Sequence, residues 1–371
     1  MVENSSQFDL STILEVLPQP EPAAGVEFYD REREKALELN PRKRENFEKF
    51  ERSSHLRNDV CDYLPKKIDF ENVSRCNFRC SMCQVSNWHK GQRAEDMSLE
   101  DFKRIIDEQY GLVEIKLQGM GEPLMQGDDF FRMIRYARDQ HIWVRTTTNA
   151  SLLHLKDNIQ KLINADPCEV QISIDGADKE TFEKIRVQSN FDQVIKNCQL
   201  INSAYEEDGL VRTKMWVVVQ KENRHQLTKF VHIAREAGFK SLVFSVTLTD
   251  WGQLDWRAKN NDIDAHDAFS IEIADELVHL GADMGVKVAF WSPGKKYSTQ
   301  NIESICPWPF ERSYISSDLR VVPCCAIANP DASELGSADN FTETWNGQAY
   351  RDFRRKHLSG DIPEVCQNCY E

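Results

Sequence analysis

The chain has 371 residues, 40% of them hydrophobic and 29% charged, with a formal net charge of -14. That length suits one large α/β domain with an appendage or two domains, and the acidic balance argues against broad nucleic-acid backbone binding. No window approaches the roughly 18 consecutive apolar residues of a membrane span, and the acidic N-terminus lacks a basic signal-peptide region. The expectation is therefore a cytoplasmic protein with neither nucleic-acid nor membrane partners.

Residues 1–64 read as an N-terminal extension. "PQPEPAAG" is a linker, and "REREKALELNPRKRENFEKFERSSHL" is a mixed-charge run expected to form one or two solvated covering helices. From "KKIDFENV" onward, β-branched runs alternate with amphipathic helical patterns. The strand-like runs are 67–73, 113–119, 143–149, 169–176, 213–220 and 241–247. Between them, "SLEDFKRIIDEQY" starts at Ser98 as N-cap, and "HQLTKFVHIAREAG" closes at Gly238. Six such βα units predict a parallel sheet over residues 65–291, open or closed into a barrel. Sites of such folds lie at the C-terminal ends of the strands. After a helical segment near 266–285, "CPWPFERSYISSDLRVVPCC" predicts a hairpin turning about Ser317 and Asp318. Residues 292–371 then form a second, cysteine-bearing subdomain.

The 11 cysteines divide unevenly. In a reducing compartment, a cysteine-rich chain points to metal or redox chemistry rather than to disulfides. Cys61, Cys168 and Cys198 stand alone, as small buried hydrophobes do. Cys76, Cys80 and Cys83, in "SRCNFRCSMC", follow the first strand directly. Iron and zinc both suit thiolates. Structural zinc wants a fourth ligand, and His89 is the only histidine nearby. A 4Fe–4S cluster takes one cysteine per iron, so three leave one iron open. The second set, Cys306, Cys324, Cys366 and Cys369, suits a closed zinc site or a fully ligated cluster, with Cys325 able to exchange roles with Cys324.

Cys-x3-Cys-x2-Cys after the first strand of a βα-repeat chain resembles the radical S-adenosylmethionine (radical SAM) enzymes. "QGMGEPLM" resembles the Gly-Gly-Glu motif that meets the methionine part of SAM. "TTTNAS" resembles a Thr-Asn-Gly stretch with Ala150 in place of glycine. "ISIDGADKETFEKIR" and "VVVQKEN" resemble the segments facing the ribose and the adenosine. The resemblance implies a partial (β/α)6 TIM-like barrel with a small C-terminal α+β subdomain of the SPASM/twitch type. It implies SAM and two 4Fe–4S clusters as cofactors, one bound by Cys76, Cys80 and Cys83 and one auxiliary, held by Cys306, Cys324, Cys366 and Cys369. Met82, Gly119, Gly121, Glu122, Asn149, Ser173, Asp175 and Arg186 would contact SAM.

The implied reaction is reductive cleavage of SAM to a 5′-deoxyadenosyl radical, which abstracts a substrate hydrogen atom. An electron donor such as flavodoxin or ferredoxin is the expected partner. The single-cluster spacing is similar to that of a radical SAM dehydrogenase acting on an aminocyclitol. The leading expectation is accordingly oxidation or epimerisation of a small polar metabolite such as a sugar, an aminocyclitol or a nucleotide-linked sugar. The alternative is peptide or protein modification, by crosslinking, epimerisation or enzyme maturation. An iron–sulfur electron-transfer or sensor protein is the non-enzyme alternative. Lys116, Asp250, Arg312 and Tyr314 are polar residues near strand ends or the hairpin, and none is singled out as a base. Cys168, Cys198 and Cys325 are the thiols that an epimerisation would call on as hydrogen donors.

Overall fold

The computed structural model describes residues 17–88, 95–265, 269–291 and 296–370. His89 and the domain boundary expected at residue 292 lie outside the described residues. All six expected strands are present: β1 Lys67–Phe70, β3 Glu114–Leu117, β4 Trp143–Thr148, β5 Glu169–Ser173, β7 Thr213–Val218 and β8 Ser241–Ser245. They pair in parallel in that order. The sheet runs further at both edges. β9 (Lys287–Trp291) adds in parallel to β8. At the other edge β10 (Arg312–Ile315) adds in parallel to β1, followed by antiparallel β11 (Arg320–Val322) and β12 (Gly336–Ser337). The expected cysteine hairpin is thus continuous with the main sheet. β2 (Arg79–Cys80) and β6 (Arg186–Val187) form a separate two-residue ribbon.

The strands are short and alternate sharply. Ile68, Phe70, Ile115 and Leu117 are fully buried in the main apolar core with the outer helices. Their neighbours Lys67, Asp69, Glu114 and Lys116 consequently face the barrel interior, since successive side chains of a strand point to opposite faces. Local chemistry sets the helix ends. Ser98 Oγ accepts the Asp101 amide at 3.0 Å to start Leu99–Glu108, and Gly238 follows Leu227–Glu236 at φ 85°.

The charged N-terminal run folds as Val26–Leu39 and Pro41–Ser53 and covers the N-terminal ends of the strands. Tyr29 donates to Glu114, and Phe28 packs on Trp143. Ahead of these helices, residues 18–23 cross the lower mouth of the barrel. The Pro18 carbonyl accepts from Phe290 on the free side of β9, the Glu21 carbonyl accepts from Lys214, and the Ala23 amide donates to Glu169. The end opposite the cysteine loops is therefore plugged.

Residues 57–63 tie the two ends of the chain together. Trp345 Nε1 donates to the Tyr63 carbonyl, and Asn346 exchanges two hydrogen bonds with Cys61. Arg354, fully buried in the helix Gln348–Ser359, donates to the Pro309 and Asp59 carbonyls and to Asn346 while lying over Trp345 and Tyr350. A planar fork satisfies several acceptors at once, which a lysine cannot. Replacing Arg354 by methionine is expected to destabilise the fold by ~3 kcal/mol, because buried carbonyls lose their donor. Thermal unfolding measures this, and Arg354→Lys should recover little of the loss.

Candidate functional site

The chain leaves β1 through Glu71, which is fully buried. Its Oε1 accepts the Met120 amide after β3, and its Oε2 accepts the Ser317 amide in the β10–β11 turn. One carboxylate thus joins the loop after β3 to the C-terminal hairpin. Gly119 lies against this side chain, and a Cβ there would collide with it. Gly121 lies against the Val73 and Arg75 carbonyls, where a Cβ would again overlap. The glycines of "QGMGEP" are needed for close approach to the chain just ahead of Cys76.

Glu122, 2% exposed, bridges two strand ends. Its Oε1 accepts from Thr148 Oγ1 at 2.6 Å, and its Oε2 accepts the Asn149 amide at 2.8 Å. Asn149 Nδ2 reaches Asn77 Oδ1 at 3.0 Å and stands 4.0 Å from Cys76 Sγ. The next residue, Ala150, holds a left-handed backbone at φ 60°, the geometry for which glycine is the usual choice. Burial raises the Glu122 carboxyl to about 7 despite its three hydrogen-bond donors.

On the other side of the cysteine loop, β2 pairs with β6 and sets Cys80 opposite Arg186. Arg186 meets Asp175 at 2.6 Å, and Asp175 Oδ1 accepts the Val218 amide, tying β5 to β7. The guanidinium lies within electrostatic reach of Cys80 and Cys76, where a positive charge favours thiolates. Burial pushes the Cys76 and Cys80 thiols up to about 12, and the Cys83 thiol up as well. Without a metal they are neutral.

Of the residues expected around SAM, Gly119, Gly121, Glu122, Asn149, Asp175 and Arg186 converge on this loop at the C-terminal strand ends. Ser173 ends β5 with Trp216 as its register partner. Met82 is half-buried against the main core. Sequence reasoning passed over Glu71, Asn77 and Thr148. Asn77 lies inside the cysteine motif and Thr148 inside "TTTNAS", so both had a local signal; Glu71 has none.

Cys306, Cys324, Cys366 and Cys369 form the second group. The Cys324 thiol, held well above its usual range by burial, also feels Cys325, Cys366, Cys306 and Cys369. The Cys306 amide donates to Tyr370 Oη, and the Lys296 and Tyr297 amides donate to the Cys369 carbonyl. Cys325 also feels Asp69, Lys116, Lys67 and Arg145 of the barrel interior. Cys325 thus stands beside Cys324 and Cys369 and also reaches the charged barrel interior. Between the two cysteine groups lies a small apolar cluster of Val85, Met120, Tyr314, Val322, Ile327 and Ala328, against which Cys76, Cys83, Cys324 and Cys366 pack. Cys61, Cys168 and Cys198 are buried in the main or adjoining core.

No group of three or more His, Cys, Asp or Glu side chains among the described residues closes around a single ion. The fit to iron–sulfur clusters rests on donor chemistry: soft thiols in two groups at one end of the barrel, one with a cation beside it. A second sign of a missing group is Gln220, fully buried beyond β7, whose amide oxygen and nitrogen both lack partners.

Residues 73–234 match the profile of the Radical SAM superfamily, and residues 306–370 match that of the SPASM iron–sulfur cluster-binding domain. Mycofactocin maturase MftC of Mycolicibacterium smegmatis is 31% identical over 178 residues, 47% of this chain and 43% of that protein. A probable GTP 3′,8-cyclase of Saccharolobus islandicus is 31% identical over 175 residues, 45% of this chain and 52% of that protein. The chain thus spans about half the length of the curated relatives it matches. The structure of Streptococcus suis SuiB bound to precursor peptide SuiA superposes with a TM-score of 0.58 at 17% identity, covering 84% of this chain and 70% of that one. That likeness is one of fold. Among the described residues no helix is long and apolar enough to cross a membrane.

Because burial raises the Glu122 pKa, the folded chain holds a proton that the unfolded chain releases between about 4.5 and about 7. Its stabilising contribution is complete below about 4.5 and is lost as pH rises through about 7. In cluster-free, SAM-free protein, urea unfolding at pH 5 and pH 8 should differ by ~3 kcal/mol less in Glu122→Gln than in the parent. Equal pH dependence in the two proteins would refute the burial account.

Proposed function

We propose, for a chain that belongs to the radical SAM superfamily and carries a C-terminal SPASM iron–sulfur domain, that it modifies a peptide substrate. Its cofactors are SAM and 4Fe–4S clusters. The observation that carries the peptide reading is the 31% identity to mycofactocin maturase MftC over 178 residues. The fold shared with peptide-bound SuiB is compatible with it. This departs from the sequence-based preference for a small polar metabolite, which keeps support from the similarity to the GTP cyclase.

When bound, the first cluster and SAM supply a carbon-centred radical able to abstract a hydrogen atom, and the auxiliary cluster supplies a site for electrons. Cys76, Cys80 and Cys83 would hold the first cluster. Gly119, Gly121, Glu122, Asn149, Ser173, Asp175 and Arg186, with Met82, would line the SAM site. Cys306, Cys324, Cys366 and Cys369 would hold the auxiliary cluster.

The chain's own contribution is positional. Arg186, locked by Asp175, offsets the negative charge of the thiolates. Glu122, once ionised, offers a fixed carboxylate to an ammonium group. The plug at residues 18–23 and the apolar layer around Met120 and Tyr314 limit water access from below and between the cysteine groups.

Anaerobic reconstitution should give about eight irons per chain, one per ligand site of two cubanes. Alanine at Cys76, Cys80 and Cys83 should abolish conversion of SAM to 5′-deoxyadenosine. Alanine at Cys366 and Cys369 should spare part of that conversion and stop product formation. Peptides encoded beside the gene are expected to change mass when incubated with enzyme, SAM and reductant. Turnover of GTP or a sugar with no change in any peptide would overturn the peptide reading.

A further inference from the structure

The inward faces of β10, β1, β3, β4 and β5 carry an unusual density of charge. Register aligns Tyr314, Asp69, Lys116, Arg145 and Glu169 in one row across the five strands, with Arg312, Lys67 and Glu114 in the row below. Most of these charges are paired. Lys67 and Arg145 share Glu114 at 2.8 and 3.3 Å, Lys214 meets Glu169 at 2.9 Å, and Arg312 meets Glu311 at 3.0 Å.

Asp69 and Lys116 are the exceptions. They are neighbours by register, and Lys116 feels the Asp69 charge, yet no direct ion pair joins them. Asp69 is 2% exposed, and its Oδ1 has no hydrogen-bond partner. Lys116 is held below the usual lysine range by burial and then by Arg145. Cys325, an exposed thiol, stands on the same side and is acted on by both. Lys67, Lys116, Arg145 and Arg312 stand against Asp69, Glu114 and Glu169 on these inward faces, within a chain of net charge -14. A locally cationic recess inside an acidic protein concentrates anions.

We propose that the recess bounded by Asp69, Lys116 and Cys325 binds a carboxylate-bearing group of the substrate. Lys116 takes the carboxylate, and the free Asp69 oxygen accepts an N–H or O–H donor beside it. An orphan buried acceptor and a nearby unbridged cation both gain from such a ligand, since each is costly while unsatisfied. The assignment deepens the peptide reading by naming the group that enters the barrel, and it rests on that reading for the word substrate.

The test uses reconstituted holoenzyme and needs no turnover. With the cluster cysteines ligated and Cys61, Cys168 and Cys198 at most 4% exposed, Cys325 is the thiol expected to react. Its sulfur, after losing the proton to solvent, displaces iodide from iodoacetamide (neutral) or iodoacetate (a small carboxylate). The ratio of the two rates, read by mass spectrometry at Cys325, cancels the thiol's own ionisation and reports the preference for a carboxylate. Lys116→Met should lower that ratio by about fivefold, and Asp69→Ala should raise it. Unchanged iron content and thermal unfolding in Lys116→Gln and Lys116→Met certify the fold.

N-acetylglycine, which joins a carboxylate to an N–H, should slow iodoacetamide labelling more than propionate does, and Asp69→Ala should erase the difference. A ratio indifferent to Lys116, a Cys325 that resists both reagents, or equal protection by the two acids overturns the assignment. Modification of a peptide by enzyme whose ratio ignores Lys116 would sink this inference alone. A Lys116-dependent ratio in an enzyme that leaves every peptide unchanged would sink the peptide reading alone.

Discussion

The buried carboxylate of Glu71 is the contact on which the arrangement turns. It accepts from Met120 on one side and Ser317 on the other, so the loop beyond β3 and the C-terminal hairpin share one anchor at the exit of β1. The cysteine motif begins five residues later. Because β10 also pairs with β1, the hairpin has little freedom to move relative to the first cysteine loop. Two cysteine groups far apart in sequence both pack against one small apolar cluster.

The barrel interior follows a different logic from its exterior. Outside, aliphatic and aromatic residues on alternate strand positions pack against helices and supply the hydrophobic drive for folding. Inside, ion pairs such as Lys67–Glu114 and Lys214–Glu169 fill the rows of charge, where they compensate one another's desolvation. The N-terminal plug adds backbone partners from Glu21 and Ala23 to the same rows. Charge satisfaction is therefore uneven: Glu169 is paired, while Asp69 and Lys116 in the same row are not bridged. Strict pairing is what a scaffold needs, and incomplete pairing is where a ligand has something to gain.

The six strands were legible because β-branched runs bounded by helical patterns carry their own period, and Ser98 and Gly238 mark their helices by local chemistry. The extra strand β9 and the union of β10 with β1 were not, since strand order depends on pairing between separate segments, as far apart in sequence as Lys67 and Arg312. Glu71 likewise carries no mark in the sequence, and Thr148 is marked only as part of "TTTNAS". Each is one polar residue at a strand end until the fold shows which amide or carboxylate it meets. Cys324 and Cys325 are indistinguishable as neighbours in a string, and their different surroundings emerge only when the hairpin closes against the barrel.

The sequence by itself determined the chemistry at hand: three closely spaced thiols after a first strand, a glycine-and-glutamate loop after the second, and four further thiols near the C-terminus. Residue type and short spacing are enough for that, because ligand identity and close backbone approach are local properties. Tertiary structure decided which groups face one another. It closed the lower mouth of the barrel, set Arg186 beside Cys80, and left Asp69 and Lys116 adjacent but unbridged. Those outcomes depend on register and on the burial that many distant residues create together, and neither quantity exists in the chain before it folds.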